Sequence, residues 1–239
     1  QDDVAQAFDY IQRAISLDPN DARLLLEQEQ LASRQGVSID KRIQILEKTP
    51  ETTAFRDDLF VEYITLLNSQ GKYEEAYQRI MGRQFHPWEG GEGKISGQFE
   101  YALIEMAKDC LTENPQQAIL YLEESFVYPE NLGEGKLPSV NDNLTYYYLG
   151  KAYEQLGEVR TAQTYFEKGT FGLSEPGSVL YYNDQPADTI LYQGWCHEAL
   201  GNDNEAKKCY HRLLSYGEKH LFDDVSYDYF AVSLPNTAM

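Results

Sequence analysis

Residues 143–169 read NLTYYYLGKAYEQLGEVRTAQTYFEKG, and this stretch decides the fold. Gly157 divides it in two. Before the glycine, Tyr146, Leu149, Gly150 and Tyr153 recur at helical spacing; after it come Ala162 and Phe166. Residues three and four apart share one face of a helix, so the stretch reads as two short amphipathic helices joined by a tight turn. The small residues have a physical purpose. Gly or Ala at fixed points lets antiparallel helices approach closely, and large residues one turn away fill the groove to the next pair.

The same phrase recurs along the chain. Gly201-Asn202-Asp203-Asn204-Glu205-Ala206 follows, and Gly71-Lys72-Tyr73-Glu74-Glu75-Ala76 precedes. A degenerate copy, Asn114-Pro115-Gln116-Gln117-Ala118, sets Pro at a helix start, where its missing N–H costs nothing. Ala76, Ala118, Ala162 and Ala206 are thus spaced 42, 44 and 44 apart. A period of this size marks stacked repeats. Ile190, Gly194 and Tyr210 flank the Gly201 turn, as Phe60, Leu67 and Ile80 flank Gly71.

These residues resemble the tetratricopeptide repeat: small on the first helix, Tyr three later, Gly at the turn, then Ala and an aromatic on the second helix. The resemblance implies an all-α chain, a right-handed α-solenoid of helical hairpins with long inter-repeat loops. Ala7, Ile11, Ala14 and Pro19 look like the second helix of a preceding repeat, and Ala22–Gln35 with Ser38–Lys48 form a weaker pair. One leading helix and five hairpins are expected in one superhelical domain over 1–239. Weaker leading repeats occupy 1–50, the main repeats 54–217, and a C-terminal cap 218–239. The start in mid-helix at Gln1, without an initiator Met, reads as a piece of a longer protein.

A plain repeat needs about 34 residues, so a longer period implies insertions. They fall after second helices as three loops, Phe85–Gly97, Tyr128–Val140 and Thr170–Pro186. The first two share a pattern: Pro87-Trp88-Glu89-Gly90-Gly91-Glu92-Gly93-Lys94 aligns with Pro129-Glu130-Asn131-Leu132-Gly133-Glu134-Gly135-Lys136. Gly217-Glu218-Lys219 reads as a further echo. Loops at equivalent points of stacked repeats line up on one face. That face is expected to carry Phe85, His86, Trp88, Glu89, Glu92, Tyr128, Glu130, Asn131, Glu134, Tyr181, Tyr182, Asn183 and Asp184. Aromatics mixed with acids and amides suit sugar rings, and equally a protein interface with aromatic anchors. The same loops can instead pack over helix ends, with Trp88 and the tyrosines in the core and glutamates capping helix N-termini. Both readings stand at this point.

Composition narrows the partners. The net charge of −19, from 39 acids against 20 bases, repels nucleic acid and anionic membrane lipid. No apolar run reaches the ~18 residues of a membrane span. Three cysteines, Cys110, Cys196 and Cys209, do not make a disulfide framework and fit a reducing compartment. Cys196 and His197 are adjacent and point about 100° apart on a helix, so with Cys209 and His211 they do not form a metal set. Glu89, Glu92, Glu130 and Glu134 offer carboxylate pairs, but among so many acids such pairs arise by chance, and no catalytic residue, cofactor or metal is expected. Phosphate-binding glycine loops and nucleophile motifs are lacking.

The strings Phe85–Lys94 and Tyr128–Lys136, with Tyr181-Tyr182-Asn183-Asp184-Gln185-Pro186 and the run from Gly217 to Pro235, together resemble the C-terminal part of a family of large, uncharacterised bacterial proteins. In those proteins a tetratricopeptide region follows a domain similar to galactose mutarotases and other sugar-binding β-sandwiches. The resemblance runs from about Phe55 to Pro235. It implies a cytoplasmic protein tied to carbohydrate metabolism, whose signature loops face the N-terminal domain or its sugar. The expected function is a non-catalytic scaffold that docks a protein, or a neighbouring domain of the same chain, through the loop face. The alternative is an accessory part of a carbohydrate site completed by that domain.

Overall fold

The computed structural model describes residues 4–177 and 184–223, and every regular element among them is helical. In chain order these are α1 (Val4–Leu17), α2 (Ala22–Arg34), α3 (Ile39–Lys48), α4 (Pro50–Phe55), α5 (Asp57–Ser69), α6 (Tyr73–Met81), α7 (Lys94–Cys110), α8 (Pro115–Glu124), α9 (Asn143–Gln155), α10 (Val159–Gly169), α11 (Thr189–Ala199) and α12 (Asp203–His220). The architecture is an α-solenoid of helical hairpins. The helices follow in the expected order; α5/α6, α9/α10 and α11/α12 pack as pairs, α7 and α8 share a core cluster, and α2 packs chiefly against α1 and less against α3.

The turns explain why these hairpins close. At the end of α9, Gly157 adopts φ 77°, a left-handed conformation that a Cβ would penalise. Its N–H then donates to the Glu154 carbonyl at 3.0 Å, and the Glu158 N–H donates to the Tyr153 carbonyl at 2.9 Å. Two carbonyls that the helix end leaves unpaired are thereby satisfied, and the chain reverses. Gly201 repeats this after α11, where the Gly201 and Asn202 N–H groups reach the Glu198 and His197 carbonyls at 2.9 and 2.8 Å. The α7/α8 turn uses the other device: Asn114 caps α8 by accepting from the Gln117 N–H, with Pro115 opening the helix.

Two compact units are present. One comprises the described residues of Gln1–His86, Gly97–Ala102 and Asn131–Gly133; the other those of Pro87–Ser96, Leu103–Glu130 and Glu134–Met239. In the first, the core includes Leu46, Leu59, Ile64, Leu67, Ala76, Ile80 and Phe99. The short α4 was not legible in the hydrophobic pattern. Pro50 opens it, and the Thr53 hydroxyl anchors it by donating to the Leu46 carbonyl at 2.7 Å. A buried Glu29 on α2 pairs with Arg42 on α3, whose Nε lies 2.7 Å from the carboxylate.

In the second unit, Ile104, Ala107, Ala118, Ile119, Leu122, Leu149 and Ala152 form one cluster, and Ala162, Phe166 and Cys196 another. The alanines that set the repeat phase, Ala76, Ala118, Ala162 and Ala206, are all buried. The small residues of the first helices are fully used. A methyl group on Gly150 would lie 2.3 Å from the Phe166 ring, and one on Gly194 would lie 2.3 Å from the Tyr210 ring. Gly150 and Gly194 stand 44 residues apart, as do Phe166 and Tyr210, so one packing device is built twice.

Two boundaries differ from expectation. The first loop ends earlier, because Lys94–Gly97 already belong to α7. Gly217-Glu218-Lys219 is not a loop: it lies within α12, which continues to His220. Of the expected cap at 218–239, residues 224–239 lie outside the described residues.

Candidate functional site

The first two loop strings are alike in sequence and different in structure. Pro87–Gly93 forms a tight turn in which the Gly91 N–H donates to the Trp88 carbonyl at 3.0 Å. A Cβ on Gly91 would sit 2.0 Å from the Trp88 ring, so the half-buried indole lies directly on the glycine. Gly93, with φ 74°, opens α7. In the second string, Glu130–Leu132 instead forms a short 3-10 turn that buries Leu132, and α9 begins only at Asn143.

Several residues expected on the loop face serve helix ends. Glu134 is the clearest. Its carboxylate accepts from the Gly93 N–H at 2.9 Å, the Ser96 N–H at 3.3 Å and the Ser96 hydroxyl at 2.9 Å. Gly93 has no side chain to cap α7, so Glu134 supplies the missing acceptor and places negative charge at the positive end of the helix dipole. Asn131 does the converse at the end of α6: its amide donates to the Ile80 and Arg83 carbonyls, each at 2.9 Å, and its own carbonyl accepts from the Phe85 N–H at 2.8 Å. Lys136 bridges the Ser125 carbonyl at 3.3 Å and the Asp142 carboxylate at 2.6 Å, with its ammonium 5.5 Å from both the Phe126 and Tyr128 ring centroids.

The remaining expected site residues divide by exposure. Phe85 is a correction: it lies in the core at 1% exposure, against Phe60 and beneath the Arg83 guanidinium, because its ring completes the end of the α5/α6 hairpin. His86 is exposed; its N–H donates to the Asp57 carboxylate at 2.8 Å and its ring Nδ1 lies 3.1 Å from the same oxygen. Glu89 and Glu130 are exposed, and Glu92 and Asp184 half-buried. Tyr181, Tyr182 and Asn183 lie outside the described residues. Among the described residues no group of His, Cys, Asp and Glu is placed to hold a metal ion, and no helix is long and apolar enough to cross a membrane.

A different surface was missed by the sequence reading. Tyr147 and Tyr148 on α9 and Tyr192 and Trp195 on α11 are all half-buried, so each keeps part of its ring exposed. They form a continuous run: Tyr148 to Tyr147 at 5.2 Å, Tyr147 to Trp195 at 5.1 Å, and Trp195 to Tyr192 at 5.1 Å, the last nearly perpendicular at 87°. The first and last of these contacts are edge-to-face and the middle one is tilted at 50°, and together they fix the rings relative to one another. At the α7 side, Lys108 donates to Glu105 at 2.5 Å and lies 5.9 Å from the Tyr148 centroid. Burial pulls the Lys108 ammonium down, but Glu105 and the nearby tyrosine hydroxyls outweigh it and hold its pKa above the ordinary lysine value. Burial, reinforced by Asp188, holds the Tyr192 hydroxyl above its ordinary value. The patch therefore offers apolar ring faces, neutral hydroxyls and one fixed ion pair. The signal for it was in the register, since Tyr148 and Tyr192 are 44 apart, the interval that separates Ala162 from Ala206.

Comparison with known proteins agrees with this architecture. Residues 145–168 and 188–216 match the tetratricopeptide repeat. The chain is similar to the solved structure of BtubC (BKLC) from P. vanneervenii, at 16% identity and TM-score 0.50, covering 94% of this chain and 92% of that one. It is also similar to PilW, a type IV pilus biogenesis factor, at 16% identity and TM-score 0.46, covering 93% and 88%. The likeness to BtubC is one of fold. The chain thus contains a tetratricopeptide region, a kind of array whose general role is to bind proteins.

Proposed function

We propose that this helical array is a non-catalytic docking module, and that it holds a protein segment against the ring surface of Tyr148, Tyr192 and Trp195 beside the Glu105–Lys108 pair. One observation carries the reading: four aromatic rings from two first helices form one run of ring contacts yet stay part-exposed. Partly exposed, pre-positioned Tyr and Trp side chains lose little entropy on binding and are the common anchors of interfaces. The polar groups of Asn131 and Glu134, by contrast, are engaged by helix ends.

The loop surface remains a second reading, in which exposed Glu89 beside half-buried Trp88 contacts a neighbouring domain or its sugar. The chain has two tryptophans, Trp88 and Trp195, one on each surface, and this allows a direct test. Wild type is used to capture a partner from cell extract, and the partner is then titrated into Trp88→Phe and Trp195→Phe variants. The docking reading expects the emission change to persist in Trp88→Phe and to vanish in Trp195→Phe. It also expects Tyr148→Glu with Tyr192→Glu to lose the partner while the circular dichroism spectrum is kept. The opposite pattern, or an oligosaccharide that shifts Trp88 alone, assigns the contact to the loops.

A further inference from the structure

The ring surface of α9 and α11 is bordered by carboxylates that no base balances. On α11, Asp188, Tyr192, Trp195 and Glu198 follow one another at intervals of four, three and three residues. They share one helix face, with an acid at each end and two rings between. Over ten residues that face runs about 15 Å. Asp188 and Glu198 are exposed, and both act on the rings. Burial raises the Tyr192 hydroxyl and Asp188 adds to it; burial raises that of Tyr147, with Tyr148, Cys196, Glu154 and Glu198 adding.

The bases of this surface are already matched. Lys108 is bound to Glu105 at 2.5 Å, and Lys151 is bound to Glu154. Among the described residues Asp188 and Glu198 form no ion pair. Glu105, Glu154, Asp188 and Glu198 therefore stand against Lys108 and Lys151, and two negative charges remain. His197, next to Glu198, does not offset them. Burial, with Arg212 adding to it and Glu205 opposing, holds its imidazole below the ordinary value, so it is neutral at pH 7. The surface also shows the chemistry that fills such a place. The Lys108 ammonium, while bound to Glu105, lies 5.9 Å from the Tyr148 centroid, a cation held by a ring face and a carboxylate together.

We propose that the partner docked on these rings is basic, laying an arginine on the exposed part of Trp195 with its donors on Glu198, and setting a second cationic side chain at Asp188. This rests on the docking reading of the ring surface and names the chemistry of what docks there. Arginine suits both halves of the position: its planar guanidinium stacks on an indole, and its fork of donors matches a carboxylate. The net charge of −19 draws such a partner from farther away, at a rate that falls with salt. Glu at Tyr148 and Tyr192 adds carboxylates, so loss of the partner by that double variant reports the rings and not the charge.

The test uses the full chain carrying Trp88→Phe, which leaves Trp195 as the sole tryptophan. Hexa-arginine is titrated in about 50 mM salt, where exposed charges are weakly screened. A saturable change in emission is expected. Hexalysine, of equal charge, should bind at least about threefold more weakly, because its ammonium groups stack less well on the indole. Asp188→Asn with Glu198→Gln should weaken hexa-arginine by about threefold or more, the range for two exposed ion pairs. Asn caps a helix as well as Asp, so the fold is kept. Glu167→Gln with Glu218→Gln removes the same charge elsewhere on the exposed surface and should change affinity by less than about twofold. Equal weakening by both pairs, or no emission change, overturns the proposal. A response to hexaglutamate or maltohexaose in place of hexa-arginine also overturns it and gives the rings an acidic or sugar ligand. The two readings fail separately. A captured partner that reports through Trp88 ends the docking reading. One that reports through Trp195 but binds the Asp188→Asn, Glu198→Gln protein as tightly as wild type leaves docking intact and ends the basic assignment.

Discussion

Replacing Gly150 with alanine adds one methyl group to α9 where the Phe166 ring already fills the space. The new carbon would lie 2.3, 2.5 and 2.7 Å from three ring atoms. Carbon atoms in contact prefer about 3.5–4.0 Å, so the ring or the helix has to move by about 1 Å or more. Phe166 is 1% exposed and packed among Ala162, Cys196 and Tyr147, which leaves the ring no open direction. Overpacking of this kind costs about 1–3 kcal/mol, and three simultaneous contacts place it in the upper half of that range. Alanine regains about 0.8–1.0 kcal/mol over glycine in a helix interior. The expected net loss is about 1–2 kcal/mol, or roughly 2–8 °C in thermal midpoint for a chain of this size. Gly97→Ala is the matched control. Gly97 lies within α7 with nothing inside 4 Å of an added Cβ, so the same substitution should stabilise by up to about 1 kcal/mol. Urea titration followed by circular dichroism checks both, read as midpoints at constant slope because repeat arrays can lose cooperativity. A Gly150→Ala protein as stable as wild type would refute the close-approach argument. So would a Gly97→Ala protein destabilised to the same degree.

Three further outcomes are expected. Asn131→Ala should cost about 1–2 kcal/mol by removing the amide donor to the Arg83 carbonyl and one of the donors to the Ile80 carbonyl, and Asn131→Asp should be worse, since it sets a carboxylate against them; urea midpoints give the order. Glu134→Ala should lose about 1–2 kcal/mol of α7 capping, with Glu134→Gln between it and wild type because it keeps an acceptor and loses the charge; thermal melts resolve the three. The acid limb of stability should involve His197. Burial holds its imidazole below the ordinary value of 6.5, with Arg212 adding to this and Glu205 opposing it. The unfolded chain therefore binds the proton first, and stability is lost as pH falls below 6.5 through the lower folded value. His197→Gln should flatten the change in urea midpoint between pH 7 and 5.

The helical hairpins were legible because their determinants are local or periodic. Gly157 and Gly201 announce turns, and alanines every forty-odd residues announce the phase. Gly150 and Gly194 could be read as close contacts because their partners lie one hairpin turn away. The loops were less legible for a physical reason. Glu134 and Asn131 bond to backbone groups between 38 and 51 residues away, and no periodicity encodes a side chain meeting a distant amide. The likeness of the two P-x-x-x-G-E-G-K strings does not extend to their conformations, since one opens a helix at Lys94 and the other makes a 3-10 turn at Glu130–Leu132. Phe85 looked like a loop aromatic because it follows the last periodic residue of α6, yet it is core. The ring surface of Tyr147, Tyr148, Tyr192 and Trp195 escaped notice because an aromatic on an amphipathic helix reads as interior until neighbouring helices show how much of it they cover.

Asn131 and Glu134 serve helix ends that the ribosome has already made. The carbonyl of Ile80 precedes Asn131 by 51 residues and the amide of Gly93 precedes Glu134 by 41. At about 5–20 residues per second, α6 and α7 emerge roughly 2–10 s before their caps are synthesised. A nascent chain stalled between those points would carry two helix ends without these side-chain caps. That interval, rather than any feature of the finished molecule, is when this part of the protein most needs shelter from premature association.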